Sequence, residues 1–362
     1  MQRRQFLRHT AFGLSAPLVA GASLPAWSAT SPLKIGFVYS GPISDVGWTY
    51  QHDLGRKMVE KEFGNKVTTS FVENVPEGPD ADRVIRELAA GGCELIFTTS
   101  FGFMDPTIRV APDFPDVAFE HCSGYKTAPN VGIYQNRFYE GAYLLGVIAG
   151  KRTKTNTLGY VAPFPIPEVI RNLDAFTLGA RSVNPKATVR VVWVSSWYDP
   201  NKERDAAQAL INLGADVMYQ NTDSGAIVQL AQEKGVWAFG QDSDMTRYGS
   251  TAHLTANVNN WGVYYLYKVR QKLAGQWKAE DTKWGMKEGI VQLAPMGPSV
   301  PKEAIALVEA RKADIMAGRF QPFTGPIHDQ GGKEVLAAGQ KLNEDQLWNL
   351  KFYVDGVIGK QP

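Results

Sequence analysis

Short apolar runs alternate with amphipathic segments along the first half of the chain. Apolar runs of about four to eight residues, separated by helices, indicate a parallel sheet that is covered on both faces. The runs predict strands at Leu33–Tyr39, Val67–Val72, Cys93–Thr99 and Val117–Cys122. The segments between and after them predict helices at Thr49–Phe63, Asp80–Ala90 and Asn136–Gly150.

The same alternation restarts in the second half. Strands are predicted at Thr157–Val161, Val189–Trp193, Val217–Gln220 and Trp237–Gly240, and helices at Glu168–Val183, Asp199–Asn212 and Gly225–Lys234. Two consecutive units of similar size imply an α/β fold with two Rossmann-like lobes, and 362 residues suit two domains better than one.

The lobe boundaries are expected where the alternation pauses. We expect an N-terminal lobe of residues 30–153 and 256–285 and a C-terminal lobe of residues 154–255 and 286–362. The chain should cross between them near Lys151–Thr157, His253–Val258 and Trp284–Pro295. Beyond the last crossing, Pro301–Arg319 and Asn343–Lys351 are expected to be helical and Tyr353–Ile358 to return as an edge strand.

Ligands of open parallel sheets bind beyond the carboxyl ends of the strands, so two facing lobes predict a site in the cleft between them. The segments that follow the predicted strands are rich in aromatic and small polar residues, as a pocket for a flat ligand requires. They are Ser40–Trp48, Ser100–Asp105, Ser123–Tyr125, Ala162–Pro167, Ser195–Asp199, Asn221–Ser224 and Gln241–Asp244.

The first 29 residues have the pattern of an export signal. Arg3 and Arg4 precede Phe6 and Leu7 in an R-R-x-F-L arrangement, and an uncharged stretch with small residues near position 29 follows. A basic region, a short apolar core and small residues in that order are typical of a removable signal, and the arginine pair is read as a twin-arginine address. The mature protein is then expected in the periplasm. The alternative is a cytosolic protein with an unstructured basic tail.

Charge and cysteine content narrow the function classes. Lys and Arg number 38 against 36 Asp and Glu, a near-neutral balance that argues against a nucleic-acid binder with a basic face. The two cysteines, Cys93 and Cys122, fall at opposite ends of neighbouring predicted strands, about 15 Å apart at ~3.3 Å per residue. A disulfide needs Cα atoms within about 7 Å, so buried free thiols are expected.

Enzyme motifs are scarce. The chain has no phosphate-binding loop, no G-x-G-x-x-G after a strand, no G-x-S-x-G elbow and no zinc-like histidine spacing, so no cofactor or metal is expected. His121 and Cys122 could form a catalytic pair, although a histidine inside a strand is more often a core residue. Asp242 and Asp244 could share acid–base work or bind a cation, or one could accept ligand hydrogen bonds while the other caps a turn.

Trp48 and Trp197 are the most informative aromatic residues, because each follows a strand by a few residues and lies among polar loop residues. Two indoles on opposite lobes could hold a flat ring between them, each contributing on the order of 1–3 kcal/mol. The alternative is that either ring packs against loops beneath the cleft. Phe101 and Phe164 offer further aromatic walls, and Asp45 and Asn221 lie in the same set of strand-end loops.

Seven stretches in order resemble the basic membrane protein family, the purine-nucleoside receptors of ABC importers. They are Ile35–Trp48, Asn136–Gly150, Leu158–Asn184, Ser195–Asp205, Leu213–Asp216, Lys234–Asp244 and Trp284–Leu293. The resemblance implies a type I periplasmic binding protein fold and a small-molecule ligand held between the rings of Trp48 and Trp197. It also implies a ribose contact by Asp242 and delivery to an ABC permease of the inner membrane, with the receptor as a monomer.

Two departures from the family pattern affect the expected ligand. Asn259 stands where the family has a lysine near the ribose, and Ser123 stands where it has a base-contacting aspartate, with Glu120 nearby. A free purine base is therefore expected as readily as a nucleoside. Two rival functions stay open: an exported nucleoside hydrolase that uses Asp242 and Asp244, and a receptor component that senses the ligand without transporting it.

Overall fold

The computed structural model describes residues 31–361, so the predicted export signal lies outside the described residues. Within that range, none of the helices has both the length and the apolar character needed to cross a membrane. The described chain forms one compact unit built around two large sheets, each flanked by helices. The predicted α/β class is confirmed.

The first sheet has six parallel strands in the order β11-β5-β4-β3-β1-β2. The strands are β1 Leu33–Val38, β2 Val67–Val72, β3 Leu95–Thr98, β4 Ala118–Cys122, β5 Val131–Asn136 and β11 Asp281–Trp284. Its helices are α1 Trp48–Phe63, α2 Pro79–Ala90, α3 Met104–Val110 and α8 Gly262–Leu273. Strands β5 and β11 and helices α3 and α8 were not predicted.

The second sheet has seven strands in the order β12-β10-β9-β8-β6-β7-β15, parallel except where β12 pairs with β10. The strands are β6 Thr157–Ala162, β7 Thr188–Trp193, β8 Val217–Gln220, β9 Trp237–Asp242, β10 His253–Asn259, β12 Val291–Leu293 and β15 Val357–Ile358. Its helices include α4 Tyr139–Arg152, α5 Pro167–Val183, α6 Pro200–Asn212, α7 Ala226–Lys234 and α9 Lys302–Met316. A small hairpin (β13 Ile327–His328, β14 Glu334–Leu336) and α10 Glu344–Trp348 complete the described chain.

From the sequence, we expected helix α4 to belong to the first lobe. In the structure, this helix packs against α5 and α9, beside the second sheet. The reason is close helix–helix packing at glycines. A side chain on Gly146 would collide with the backbone of Phe176, and one on Gly179 with the carbonyl of Tyr143. The chain therefore leaves the first lobe between β5 and α4, before the expected boundary at residue 153.

The return crossings use strands of both sheets. The chain runs from β10 in the second sheet through α8, which packs on α1, to β11 in the first sheet and then to β12 in the second. The predicted edge strand at the C-terminus is confirmed by the parallel pairing of β15 with β7. Cys93 and Cys122 are buried and unbonded, which confirms the expected free thiols.

Candidate functional site

The carboxyl ends of the strands in both sheets surround one cavity of about 400 Å³, a volume that includes its open mouth. The cavity is lined by Ser40, Trp48, Ser100, Phe101, Ser123, Ile166, Glu168, Trp197, Asn221, Asp223 and Asp242. Residues of both lobes contribute, so the cavity lies between them, where the strand-end rule predicts a ligand.

Most residues predicted to bind ligand meet at this cavity: Trp48, Phe101, Ser123, Trp197, Asn221 and Asp242. Phe164 lies behind Trp197, with ring centroids 5.3 Å apart. Asn259 lies behind Asp242 and donates to its Oδ1 at 2.6 Å. Asp45 is a correction: it is an exposed residue outside the cavity, where it accepts a hydrogen bond from the Tyr248 hydroxyl at 2.7 Å.

Trp48 is the first residue of α1, and its indole is held on three sides. Its Nε1 donates to the Thr99 carbonyl at 2.6 Å. Its ring makes T-shaped contacts with the rings of His52 and Trp261, with ring centroids 4.8 Å and 5.1 Å apart. The rings of His52 and Trp261 stack on each other with centroids 4.6 Å apart. Burial lowers the pKa of His52 well below its ordinary value, so this stacked pair is neutral. The indole is therefore fixed before any ligand arrives.

Trp197 belongs to the other lobe, in the loop between β7 and α6. It is half-buried, and its carbonyl accepts the backbone N–H of Asp223 at 3.0 Å. Both predicted indoles thus line the same cavity from opposite lobes, and neither is packed away beneath it.

Two polar residues of the cavity lie in the left-handed backbone region. Ser123 has a φ of 66° and Asp242 a φ of 61°. Non-glycine residues rarely adopt this conformation, and such strain clusters at functional sites. Here each strained residue directly follows or ends a strand, which turns its side chain toward the cleft.

Three carboxyl groups contribute to the cavity wall: Glu168, Asp223 and Asp242. Burial raises the pKa of Glu168, partly offset by Arg171 and the Ser123 hydroxyl. Burial also raises the pKa of Asp223 to about 7. Burial, followed by the charge of Asp223, raises the pKa of Asp242 well above its ordinary value. The charge of each carboxyl group therefore disfavours ionisation of a neighbour in the same wall.

The cavity offers hydrogen-bond donors as well. The side-chain oxygen of Asn221 accepts from the Tyr160 hydroxyl at 2.9 Å and from Asn172 at 3.0 Å. This leaves its amide N–H groups for an acceptor in the cavity. None of the described residues that line the cavity is lysine, arginine or histidine. The site therefore combines flat apolar walls with many acceptors, a few donors and no basic group.

Sequence reasoning missed Glu168 and Asp223 as site residues. Glu168 lies in the first turn of α5, where an acidic residue is common because of the helix dipole. Asp223 lies in a strand-end segment that was singled out, but only Asn221 was chosen from it. Position after a strand was the available signal for Asp223, whereas no sequence signal separated Glu168 from an ordinary helix start.

The catalytic alternatives find little support in the geometry. Asp244 does not line the cavity; it accepts from the backbone N–H and hydroxyl of Thr246, at 2.9 and 2.5 Å, as a turn cap. Burial lowers the pKa of His121 to about 3 and raises that of the Cys122 thiol well above its ordinary value. Both shifts disfavour a thiolate–imidazolium pair. Within residues 31–361, no three His, Cys, Asp or Glu side chains are grouped to hold a metal.

The two lobes also touch each other directly beside the cavity. The Gly47 N–H donates to Ser243 Oγ at 3.0 Å, and Gln51 Nε2 donates to the same oxygen at 3.1 Å. The Trp48 N–H donates to Asp223 Oδ1 at 3.2 Å. The lobes are thus joined across the cleft at the start of α1.

Comparisons with known proteins agree with this geometry. Residues 33–316 match the family model described as ABC transporter substrate-binding protein PnrA-like. A purine-binding protein of Brucella abortus is 50% identical over 345 residues, covering 95% of this chain and 98% of the relative. A relative from Haloferax volcanii, whose name proposes an ABC transporter glucose-binding protein, is 38% identical over 91% of this chain and 81% of its own length.

Solved structures show the same fold at low sequence identity. A solute-binding protein of an ABC transporter system from Aeropyrum pernix superposes with a TM-score of 0.71 at 18% identity, covering 90% of this chain and all of that one. One from Conexibacter woesei gives a TM-score of 0.65 at 22% identity, covering 80% of this chain and 98% of that one. The fold is that of a type I periplasmic binding protein.

Proposed function

The chain belongs to the PnrA-like family of ABC transporter substrate-binding proteins, and from this premise we propose that it binds a purine base or purine nucleoside between its lobes and delivers it to a membrane permease. The observation that carries the proposal is that Trp48 and Trp197, one from each lobe, both line the same cavity. Purines are flat, and their ring faces stack on indoles.

The polar groups of the cavity fit a neutral heterocycle rich in N–H groups. Glu168 and Asp223 offer acceptors for ring and exocyclic N–H groups, while Asn221 offers donors for ring nitrogens. A phosphate group would enter a wall of three carboxyl groups without a basic partner, and burying a charge without a partner is costly. Bases and nucleosides are therefore ligands of this site, and nucleotides are not.

The base is favoured over the nucleoside by the surroundings of Asp242. Its Oδ1 already accepts from Asn259, whose own Oδ1 accepts from Asn136, and from Gln241 at 3.3 Å. Little acceptor capacity is left on this oxygen for ribose hydroxyls. The purine-binding relative from Brucella abortus supports the purine class without deciding between base and nucleoside.

Calorimetric titration of ligand-stripped protein tests the proposal. The panel is adenine, hypoxanthine, adenosine, inosine, AMP and glucose. We expect a base to bind most tightly, nucleosides more weakly, and AMP and glucose not measurably. Nucleosides that outbind every base would reject the base preference, and tighter binding of glucose would reject the purine class.

Export and partner complete the proposal. The twin-arginine pattern of the first residues supports folding before export and a periplasmic location, and a monomeric receptor would then dock its closed form on the permease of an ABC importer. Replacing Arg3 and Arg4 with lysine should leave the precursor unprocessed in the cytoplasm, whereas the unchanged chain should be recovered, shortened, from the periplasm. Processing of the lysine variant at the normal rate would refute this route.

A further inference from the structure

The first turn of α1 finds its hydrogen-bond partners in the other lobe. The first N–H groups of any helix have no acceptor within the helix and need a cap. Gly47, the residue before α1, offers no side chain for this purpose. Ser243 and Asp223 supply the acceptors instead, for the N–H groups of Gly47 and Trp48. The helix that begins with a ligand-facing indole is thus capped from across the cleft.

Asp223 also holds the opposite wall of the cavity. Its backbone N–H donates to the carbonyl of Trp197 at 3.0 Å, while its carboxylate accepts from the backbone of Trp48 at 3.2 Å. One residue is therefore bonded to the backbones of both tryptophans of the cavity, one in each lobe. No other described residue makes both of these contacts.

Gly47 permits the close approach on which these bonds depend. Its φ of 90° is a left-handed conformation, and a Cβ there would lie 2.5 Å from the carbonyl oxygen of Asp223. The backbones of the two lobes therefore meet at a point where only a residue without a side chain fits.

We propose that Asp223 is a positioning residue that docks the Trp48 end of α1 onto the second lobe, with Ser243 as its helper, so that ligand capture and lobe closure occur together. The ligand part of this inference rests on the proposed function. When the lobes separate, the N–H groups of Gly47 and Trp48 lose their acceptors and the two indoles part. When the ligand first meets one lobe, the hydrogen bonds between the lobes are not yet formed, and closure adds them. Because these bonds must break before the ligand leaves, they should lower the release rate more than they raise the association rate.

Four variants of the full chain separate positioning from direct ligand contact. Asp223→Ala removes the acceptor, and Asp223→Asn keeps an oxygen for the Trp48 N–H. Ser243→Ala removes the second cap without altering the wall of the ligand cavity, since Ser243 does not line it. Asp205→Ala is the matched control, an exposed aspartate on α6 of the same lobe.

Amide hydrogen exchange at Gly47 and Trp48, with and without adenine, is the first readout because it reports the cross-cleft bonds themselves. Stopped-flow indole fluorescence with adenine is the second. We expect Asp223→Ala to speed exchange at Trp48 and raise the release rate about tenfold, and Ser243→Ala about threefold, with association rates within about twofold. Asp223→Asn should keep exchange at the Trp48 amide within about threefold of the unchanged protein, because its side-chain oxygen still accepts that N–H. Asp205→Ala should leave both the exchange rate and the release rate within about threefold.

Three results would overturn the inference: no protection of the Trp48 amide in either state, protection that survives Asp223→Ala, or a Trp48 amide that exchanges as fast in Asp223→Asn as in Asp223→Ala. The last would show that an acceptor at position 223 does not hold the start of α1. If neither adenine nor any other purine binds the unchanged protein, the proposed function fails. In that case the exchange measurement still decides the docking contact.

Discussion

Replacing Trp48 with alanine should weaken adenine binding about 5- to 150-fold. The estimate takes ~1–3 kcal/mol for stacking of one base on an aromatic side chain and 1.4 kcal/mol per factor of ten. The structure places Trp48 toward the upper part of this range, because its ring is fixed against His52 and Trp261 and needs no ordering when the ligand binds. Its removal also leaves the Thr99 carbonyl without the indole donor.

Two further variants divide this effect into its parts. Trp48→Phe keeps a flat ring and loses the bond to Thr99, so we expect a loss of about 2- to 10-fold, the usual effect of one hydrogen bond. Trp237→Phe is the matched control, at the start of β9 and therefore at the opposite end of the sheet from the cavity. It should lower thermal stability through its contact with Arg152 and leave affinity unchanged.

Isothermal titration with adenine, at one pH and with melting curves of each ligand-free variant, makes the comparison. The reasoning is refuted if Trp48→Ala binds adenine within about threefold of the unchanged protein while remaining folded. A loss in Trp237→Phe equal to that in Trp48→Ala would count against it as well, since affinity would then follow general stability.

Three other outcomes can be checked in the same preparation. Burial raises the pKa of Asp223 from 3.8 to about 7, so the folded state holds this proton more tightly than the unfolded state, and stability falls as pH rises from about 4 to about 7. Asp223→Asn should therefore flatten the fall in melting temperature of the ligand-free protein over this range, and an unchanged slope would contradict this. We expect adenine to decrease the radius of gyration of the unchanged protein in X-ray scattering. Gly47→Ala should abolish this decrease, because the added methyl group meets the backbone of the other lobe, and normal compaction of the variant would count against the close approach. Glu168→Leu should raise the melting temperature of the ligand-free protein, because it removes a carboxyl group whose pKa burial raises. It should also weaken adenine binding about tenfold, and unchanged affinity would show that Glu168 does not contact the ligand.

The alternation of strands and helices was readable from the sequence because buried parallel strands are short, apolar and separated by amphipathic helices. Strand β5 escaped notice because Val131–Asn136 mixes apolar with polar residues. The lobe membership of α4 could not be read from the order of elements, because chain order says nothing about which sheet a helix covers. Close packing at Gly146 and Gly179 decides it, and that contact joins residues far apart in the chain.

The candidate site was predictable where a residue lies in the segment after a strand, as Trp48 and Trp197 do after β1 and β7, or ends a strand, as Asp242 ends β9. Asp45 was misplaced because the loop after β1 is long enough to carry it to the rim, where it bonds to Tyr248 of the other lobe. Glu168 reaches the cavity because α5 starts at its edge. A local pattern predicts that a helix starts there, but it does not predict what the helix start faces.

The three carboxyl groups of the cavity connect the ligand preference with the docking of the lobes. A cavity that gathers Glu168, Asp223 and Asp242 without a basic residue is costly while empty, because burial opposes ionisation of each carboxyl group. The N–H groups of a purine and the backbone N–H groups at the start of α1 are both donors that relieve this cost. Ligand and helix therefore satisfy the same group of acceptors from two sides. A ligand that favours the closed form must do so by interactions that the open form lacks, and Asp223, which faces both the cavity and Trp48, is where those interactions meet.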